Sequence, residues 1–224
     1  MAELSETLIQ GARQIGVELP DTAVEGYLYY IDELKRWNQR INLTAIKGDV
    51  EIAVKHFLDS LTVAQYMRMA KTVLDVGTGA GFPGLPLKIL LPSIHVVLLD
   101  ASQKRIFFLR HIIRGLDLHG VEAVHGRAEQ EHVIAKYKRS FDLVISRAVT
   151  PLSSFLSLAL PYVRKGGLIV GMRGKKGQRE SESVDCKKST LRLIGTKTLQ
   201  LPILHDTRVL LVYQLPAALN AESP

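Results

Sequence analysis

Cysteine is almost missing from this chain: Cys186 is the only one in 224 residues. No internal disulfide can form, and neither can a zinc site built on paired cysteines. The lone thiol reads as incidental. No uninterrupted apolar run approaches the roughly 18–20 residues that a membrane span needs. The opening MAELSETLIQ carries acids where a secretory leader carries lysines, and no apolar stretch follows it. The expectation is a cytoplasmic protein with no membrane partner.

What is present is ordinary in bulk and uneven in detail. Hydrophobic residues make up 46% and charged residues 23%, the balance of a globular chain. The length suits one domain with elaboration or one domain with a small appendage. The net charge of +7 is concentrated. Residues 164–200 hold ten basic side chains (Arg164, Lys165, Arg173, Lys175, Lys176, Arg179, Lys187, Lys188, Arg192, Lys197) against Glu180, Glu182 and Asp185, an excess equal to that of the whole chain. Such a field suits a polyanion such as nucleic acid. A solvated surface loop would show the same charge, and composition alone does not separate the two.

The hydrophobic pattern changes period near residue 70. Before it, DTAVEGYLYYIDELKRWNQRI repeats apolar residues at three-and-four spacing, with Pro20 and Asp21 as a helix start, and a second helix is expected over 49–69. After it, strands are expected at 72–76, 95–100, 121–126 and 141–146, with helices between them. A fifth strand, KGGLIVGMR, follows a Gly-Gly turn. Residues 174–189 are polar and glycine-punctuated, hence a loop, and LRLIGTKTLQL and RVLLVYQL suit an antiparallel edge pair. Regular alternation predicts an α/β fold with a seven-stranded sheet covered by helices on both faces. A helical cap over 1–70, a sheet domain over 71–216 and a tail over 217–224 complete the expected organisation.

The first strand runs into LDVGTGAGFPG, residues 74–84. Gly77, Gly79 and Gly81 supply turn conformations and let a ligand approach the backbone. A dinucleotide fingerprint needs a third glycine where this loop has Phe82, and a phosphate-binding P-loop needs a Gly-Lys-Ser/Thr that does not follow. Asp100, nineteen residues past Gly81, ends the second strand. There it can accept hydrogen bonds from both ribose hydroxyls, although it could also begin the next helix. A cofactor with adenosine but no pyrophosphate fits such a loop: S-adenosylmethionine.

Six stretches carry a resemblance beyond the glycine loop: WNQRINLTAI, HFLDSL, LDVGTGAGFPGLPLKI, LLDASQKRIFFL, GRAE and SRAV. Together they resemble the RsmG (GidB) family of small-subunit (16S) ribosomal RNA guanine-N7 methyltransferases. The resemblance implies the class I (Rossmann-like) methyltransferase fold and an S-adenosylmethionine-dependent enzyme with Gly77, Gly79 and Phe82 at the cofactor. It places Asp100, Ala101 and Ser102 at ribose and adenine, Ala128 and Glu129 beside the adenine, and Arg147 at the outer end of the site. Ala101 departs from the serine common after the aspartate, which a backbone contact tolerates. The implied partner is 16S rRNA or the small ribosomal subunit, met by a monomer.

The residues narrow the chemistry further. No Asn/Asp/Ser-Pro-Pro-aromatic run for exocyclic nitrogens follows the fourth strand, Cys186 sits outside the sheet, and no lysine-based set for ribose oxygen is evident. Guanine N7 offers a free lone pair and loses no proton, so catalysis reduces to alignment and exclusion of water. No catalytic acid or base is assigned. Arg147 suits the cofactor carboxylate, guanine O6 or a phosphate. Phe82 suits either core or cofactor shield, and Glu129 could simply begin a helix. Trp37 and Leu43 read as core, Thr44 as a turn or cap residue, and Asn42 equally as a turn residue or site rim. His56 and Asp59 read as a local polar pair, with no metal. For RNA, Lys165, Arg173, Lys175 and Lys176 would contact backbone. Without an aromatic-rich stacking strand, they would read shape. A methyltransferase of the same fold acting on another RNA, a protein or a small molecule is the alternative.

Overall fold

The computed structural model describes residues 2–68, 70–147, 150–182 and 190–217. Helices α1 (Ala2–Gln14) and α2 (Asp21–Asn38) come first. Next, α3 (Asp49–Ile52) runs through a π-helical Ala53–Leu58 into α4 (Asp59–Leu61), and a 3-10 turn covers Ala64–Met67. The single helix expected over 49–69 is thus broken by a wide π turn, and that turn carries His56. Strands β1 (Thr72–Val76), β2 (His95–Asp100), β3 (Val121–His125), β4 (Phe141–Arg147) and β5 (Val163–Arg173) alternate with α5 (Gly84–Leu90), α6 (Gln103–Gly115), α7 (Glu131–Tyr137) and α8 (Leu152–Ala159). A short α9 (Gly177–Glu182) precedes β6 (Arg192–Gln200) and β7 (Thr207–Gln214).

The seven strands lie in the order β3-β2-β1-β4-β5-β7-β6. All neighbours from β3 to β5 are parallel, and β7 runs antiparallel to both β5 and β6. The Gly-Gly pair expected as a turn lies inside β5. There Gly166 takes a φ of +80° and its N–H donates to Leu215 O, beside the register shift against β4.

Side chains alternate across the sheet as a two-residue period requires. Val73, Leu143, Ile145, Val170, Leu210 and Val212 face a core shared with Tyr27, Tyr30, Ile31 and Leu34 of α2 and with Phe57 and Leu58. Leu74, Val144, Ile169, Leu211 and Tyr213 face the other, under α8 with Phe155 and Leu156. The N-terminal helices therefore share one core with the sheet; Tyr27 Oη also donates to Pro86 O at 2.8 Å. Among the described residues no helix is long and apolar enough to cross a membrane.

Candidate active site

The carboxyl ends of β1, β2 and β4 meet where the strand order reverses, the usual ligand position in an open α/β sheet. At β1 the chain turns sharply through Gly77, Gly79 and Gly81, with φ of +67°, +62° and +98°. Asp75 braces the turn from beneath: its Oδ2 accepts from Thr78 Oγ1 at 2.6 Å and Gly84 N at 2.8 Å. Burial pushes its carboxyl up to about 6 against the pull of those two donors. Leu99 O of β2 accepts from Gly77 N and Thr78 N, and Tyr30 Oη of α2 donates to Ala80 O. The loop is thus anchored to the sheet and to the cap.

Phe82 explains why no third glycine is needed here. Its ring lies between Tyr30 at 5.3 Å and His56 at 4.5 Å, both within 13° of parallel. It is 3% exposed. It is a core residue joining cap to sheet, and it also walls a cavity of about 340 Å³ beside the loop. Gly77–Ala80, Asp100, Ala101 and Arg105 form one wall of that cavity, and Leu43, His56 and Arg147 the other.

Asp100 is nearly buried in the floor. Its Oδ2 accepts from Gly79 N at 2.9 Å and its Oδ1 from Ser102 N at 2.8 Å, so it braces the loop and begins α6 at once. Arg105 stands 3.4 Å away. Ionised carboxylates offer about four lone-pair sites, so acceptor capacity remains toward the cavity.

Arg147 closes the outer wall within a network that links four elements. Its Nη1 donates to Lys55 O at 2.7 Å and approaches Asp59 Oδ2 at 3.5 Å, its Nη2 donates to His56 Nδ1 at 3.0 Å, and its guanidinium lies 5.4 Å above the Phe82 ring. Asp59 is fully buried and accepts a fork from Arg208 of β7, Nε to Oδ1 at 2.5 Å and Nη2 to Oδ2 at 2.6 Å. Burial pushes the Asp59 carboxyl up, and Arg208 and then Arg147 pull it back.

Because a guanidinium only donates, His56 Nδ1 is an acceptor and the ring proton sits on Nε2, which donates to Thr44 Oγ1 at 2.8 Å. Burial, helped by Arg147, drives the His56 pKa down to about 3, so the ring is neutral. His56 and Asp59 do not pair with each other; both hold Arg147.

The WNQRINLT stretch builds the rim. Asn38 Oδ1 accepts from Leu43 N (2.8 Å) and Thr44 N (3.0 Å), and its Nδ2 donates to Thr44 O (2.9 Å), which knots the loop. Leu43 is core and cavity wall, Asn42 is exposed, and Trp37 is half-buried against Phe108 and His111.

Several sequence-predicted positions lie elsewhere. Ser102 contributes its backbone N–H to Asp100 and does not line the cavity. Ala128 is buried, its carbonyl accepting from Tyr162 Oη at 2.6 Å, and Glu129 is exposed beside Arg127; neither lines the cavity.

The basic set needs correction. Arg173 is 3% exposed, because the end of β5 is covered, and it stacks over Phe155 with Nε 3.6 Å from Glu180. It is a core cation with no surface for RNA. Lys165 is exposed at the start of β5, on the sheet edge opposite the cavity and roughly 25 Å away at 3.3 Å per residue. Lys175 and Lys176 are exposed beyond the cavity end of β5. Ala148, Val149 and Cys186 lie outside the described residues. The sequence reading missed Arg208, Arg105 and the loop brace Asp75. A lone arginine near the start of β7, a strand paired on both sides, leaves no local signal, whereas Asp75 lay within the 74–84 loop.

Strand order, glycine loop, strand-end acid and cavity together define a class I methyltransferase. Solved structures share the architecture. One from Klebsiella pneumoniae, provisionally assigned as an O-methyltransferase, superposes with a TM-score of 0.62 at 20% identity, over 88% of this chain and 97% of that one. M. jannaschii TYW2, solved in complex with AdoMet, gives 0.54 at 16% identity, over 70% and 76%. At the sequence level the chain belongs to the GidB family, rRNA small subunit methyltransferase G, whose model matches residues 24–211. Ribosomal RNA small subunit methyltransferase G of Acetivibrio thermocellus is 42% identical over 87% of this chain and 79% of its own length. That of Geotalea uraniireducens is 38% identical over 92% and 94%.

Proposed function

We propose that the chain methylates guanine N7 in small-subunit ribosomal RNA, using S-adenosylmethionine bound in the cavity beside the glycine loop. The carrying observation is that loop with Asp100. A Cβ built on Gly79 meets no atom within 4 Å, so the backbone opens onto the cavity, and the Asp100 carboxylate lies on its floor. The acceptor capacity left on Asp100 suits the hydroxyls of an adenosine ribose. Ala101 would lie beside the adenine.

S-adenosylmethionine supplies an electrophilic methyl group on a sulfonium when bound. Guanine N7 brings the lone pair for the new bond, and no proton leaves the base. The protein's own side chains fit that economy. His56 is committed at both nitrogens and held neutral, and Asp100 is engaged by two backbone N–H groups. Their work is positioning: Arg147, fixed on three sides, presents one cation at the outer wall to the cofactor carboxylate, guanine O6 or a phosphate. Phe82 and Leu43 keep that wall dry, which strengthens the polar contacts inside.

In this reading residues 1–70 are the helical cap, 71–216 the cofactor-binding domain and 217–224 a tail, and the enzyme works in the cytoplasm as a monomer. Isothermal titration tests the cofactor: S-adenosylmethionine should bind and NAD should not. Arg147→Ala should lower methyl transfer to rRNA at least tenfold. Tight NAD binding, or unchanged transfer and cofactor affinity in Arg147→Ala, would overturn the assignment.

A further inference from the structure

We propose that the outer face of α6 is an RNA-docking strip, with Phe107 as a platform for an unpaired base and Lys104, Arg110 and Arg114 as phosphate contacts. The proposal rests on the rRNA reading above and goes beyond it in naming where the RNA lies. Phe107 is 54% exposed, the highest value among the large apolar side chains that the described residues leave exposed, and the only aromatic in that group. A helix at 3.6 residues per turn places positions 104, 110, 111 and 114 around position 107 on the same outward face. Phe107 therefore sits amid Lys104, Arg110, Arg114 and His111. The opposite face, with Ile106, Phe108, Leu109 and Ile112, is buried against the sheet and α2.

Two features separate this face from an ordinary solvated one. An amphipathic helix normally carries polar residues at the centre of its outer face, and here the centre is a phenylalanine. The face also has no counter-charge of its own. No acid occurs between residues 101 and 116, and Lys104, Arg110 and Arg114 make no ion pair among the described residues. Across the seams, Glu33 is taken by Arg36 at 3.0 Å and His111 at 2.6 Å, and Glu122, toward which Arg110 leans with Nη2 donating to Ala123 O at 3.3 Å, is held by Lys136 at 2.8 Å. Arg36, with its side chain 72% exposed, extends the positive surface onto α2.

Placement supplies the last link. Ala101 and Arg105 wall the cavity, so α6 starts at the cavity and runs roughly 20 Å away from it. A strand with one base in the cavity can lay neighbouring nucleotides along α6. Of the basic residues singled out in 164–200, Arg173 is buried, Lys165 lies on the far edge, and Lys175 and Lys176 stand beyond the end of β5; α6 adds basic side chains that begin at the cavity with Arg105.

The test is binding of small-subunit rRNA to the full chain, with S-adenosylmethionine titrated in parallel. Phe107→Ala should weaken RNA binding roughly five- to a hundredfold, the range for losing one stacked base, with cofactor affinity and melting temperature unchanged. Phe107→Trp should restore it. Lys104→Ala with Arg114→Ala should reduce the salt slope of binding by about two. Unchanged RNA affinity and salt slope in these variants would overturn the proposal. So would a chain that self-associates and becomes monomeric in Phe107→Ala without change in RNA binding, since the face would then serve a second copy. Failure of the wild-type chain to bind or methylate small-subunit rRNA would instead overturn the proposed substrate.

Discussion

Gly79 and Gly81 both take positive φ, yet alanine should injure the protein differently at each. A Cβ at Gly79 meets nothing within 4 Å. Its folding cost is then the left-handed backbone alone, about 1–2 kcal/mol. At about 2–4 °C per kcal/mol for a chain of this size, melting should fall by about 2–8 °C. The new methyl would project toward the cavity, so S-adenosylmethionine should bind at least tenfold more weakly to a folded protein. A Cβ at Gly81 collides with Tyr30 Oη and sits 2.9 Å from the methyls of Leu85 and Leu109. To the same strain are added overpacking of about 1–3 kcal/mol and loss of the buried Tyr30–Ala80 hydrogen bond, about 1–3 kcal/mol. Melting should drop by about 6–30 °C. Scanning calorimetry with isothermal titration separates stability from binding. If Gly81→Ala melts within about 3 °C of Gly79→Ala, the cap does not anchor the loop as described.

Two further variants test the network around Arg147. Asp59→Ala leaves Arg147 and Arg208 as neighbouring part-buried cations without their shared buried carboxylate, a cost of about 2–4 kcal/mol, below that for a wholly buried pair; a thermal melt within error of the wild type would contradict the network. His56 takes up a proton near 6.5 when unfolded and only near about 3 when folded. Its contribution is whole above pH 6.5 and lost as pH falls toward 3, at up to about 1.4 kcal/mol per pH unit. His56→Gln should therefore flatten the fall of melting temperature between pH 6.5 and 5, and an unaltered slope would show that the ring is charged in the fold.

Local signals made the sheet legible. Each strand of the parallel half is a short apolar run between turn residues, and the loop at 77–82 carries its function in its own spelling. Asp100 was legible because chain order alone places it at the end of β2. The wall opposite was not. Arg147, His56, Asp59 and Arg208 come from four elements, with Asp59 and Arg208 149 positions apart. No periodicity reports such a pairing. Charge counting failed at Arg173 for a related reason: a basic run in sequence need not share a surface, and the end of a covered strand turns its residues inward. Gly166 and Gly167 gave a turn signal because φ of +80° suits a turn, yet the sheet uses it where β5 shifts register. The α6 face passed unnoticed because an amphipathic basic helix is commonplace until burial shows which aromatic was left outside.

The most direct test is nucleoside mass analysis of rRNA from small subunits of a strain lacking this protein, incubated with the purified chain and methyl-labelled S-adenosylmethionine. The account predicts incorporation into rRNA as N7-methylguanosine, strongly reduced by Gly79→Ala and by Arg147→Ala. Label in ribosomal protein, in an exocyclic nitrogen or in a ribose oxygen would contradict it.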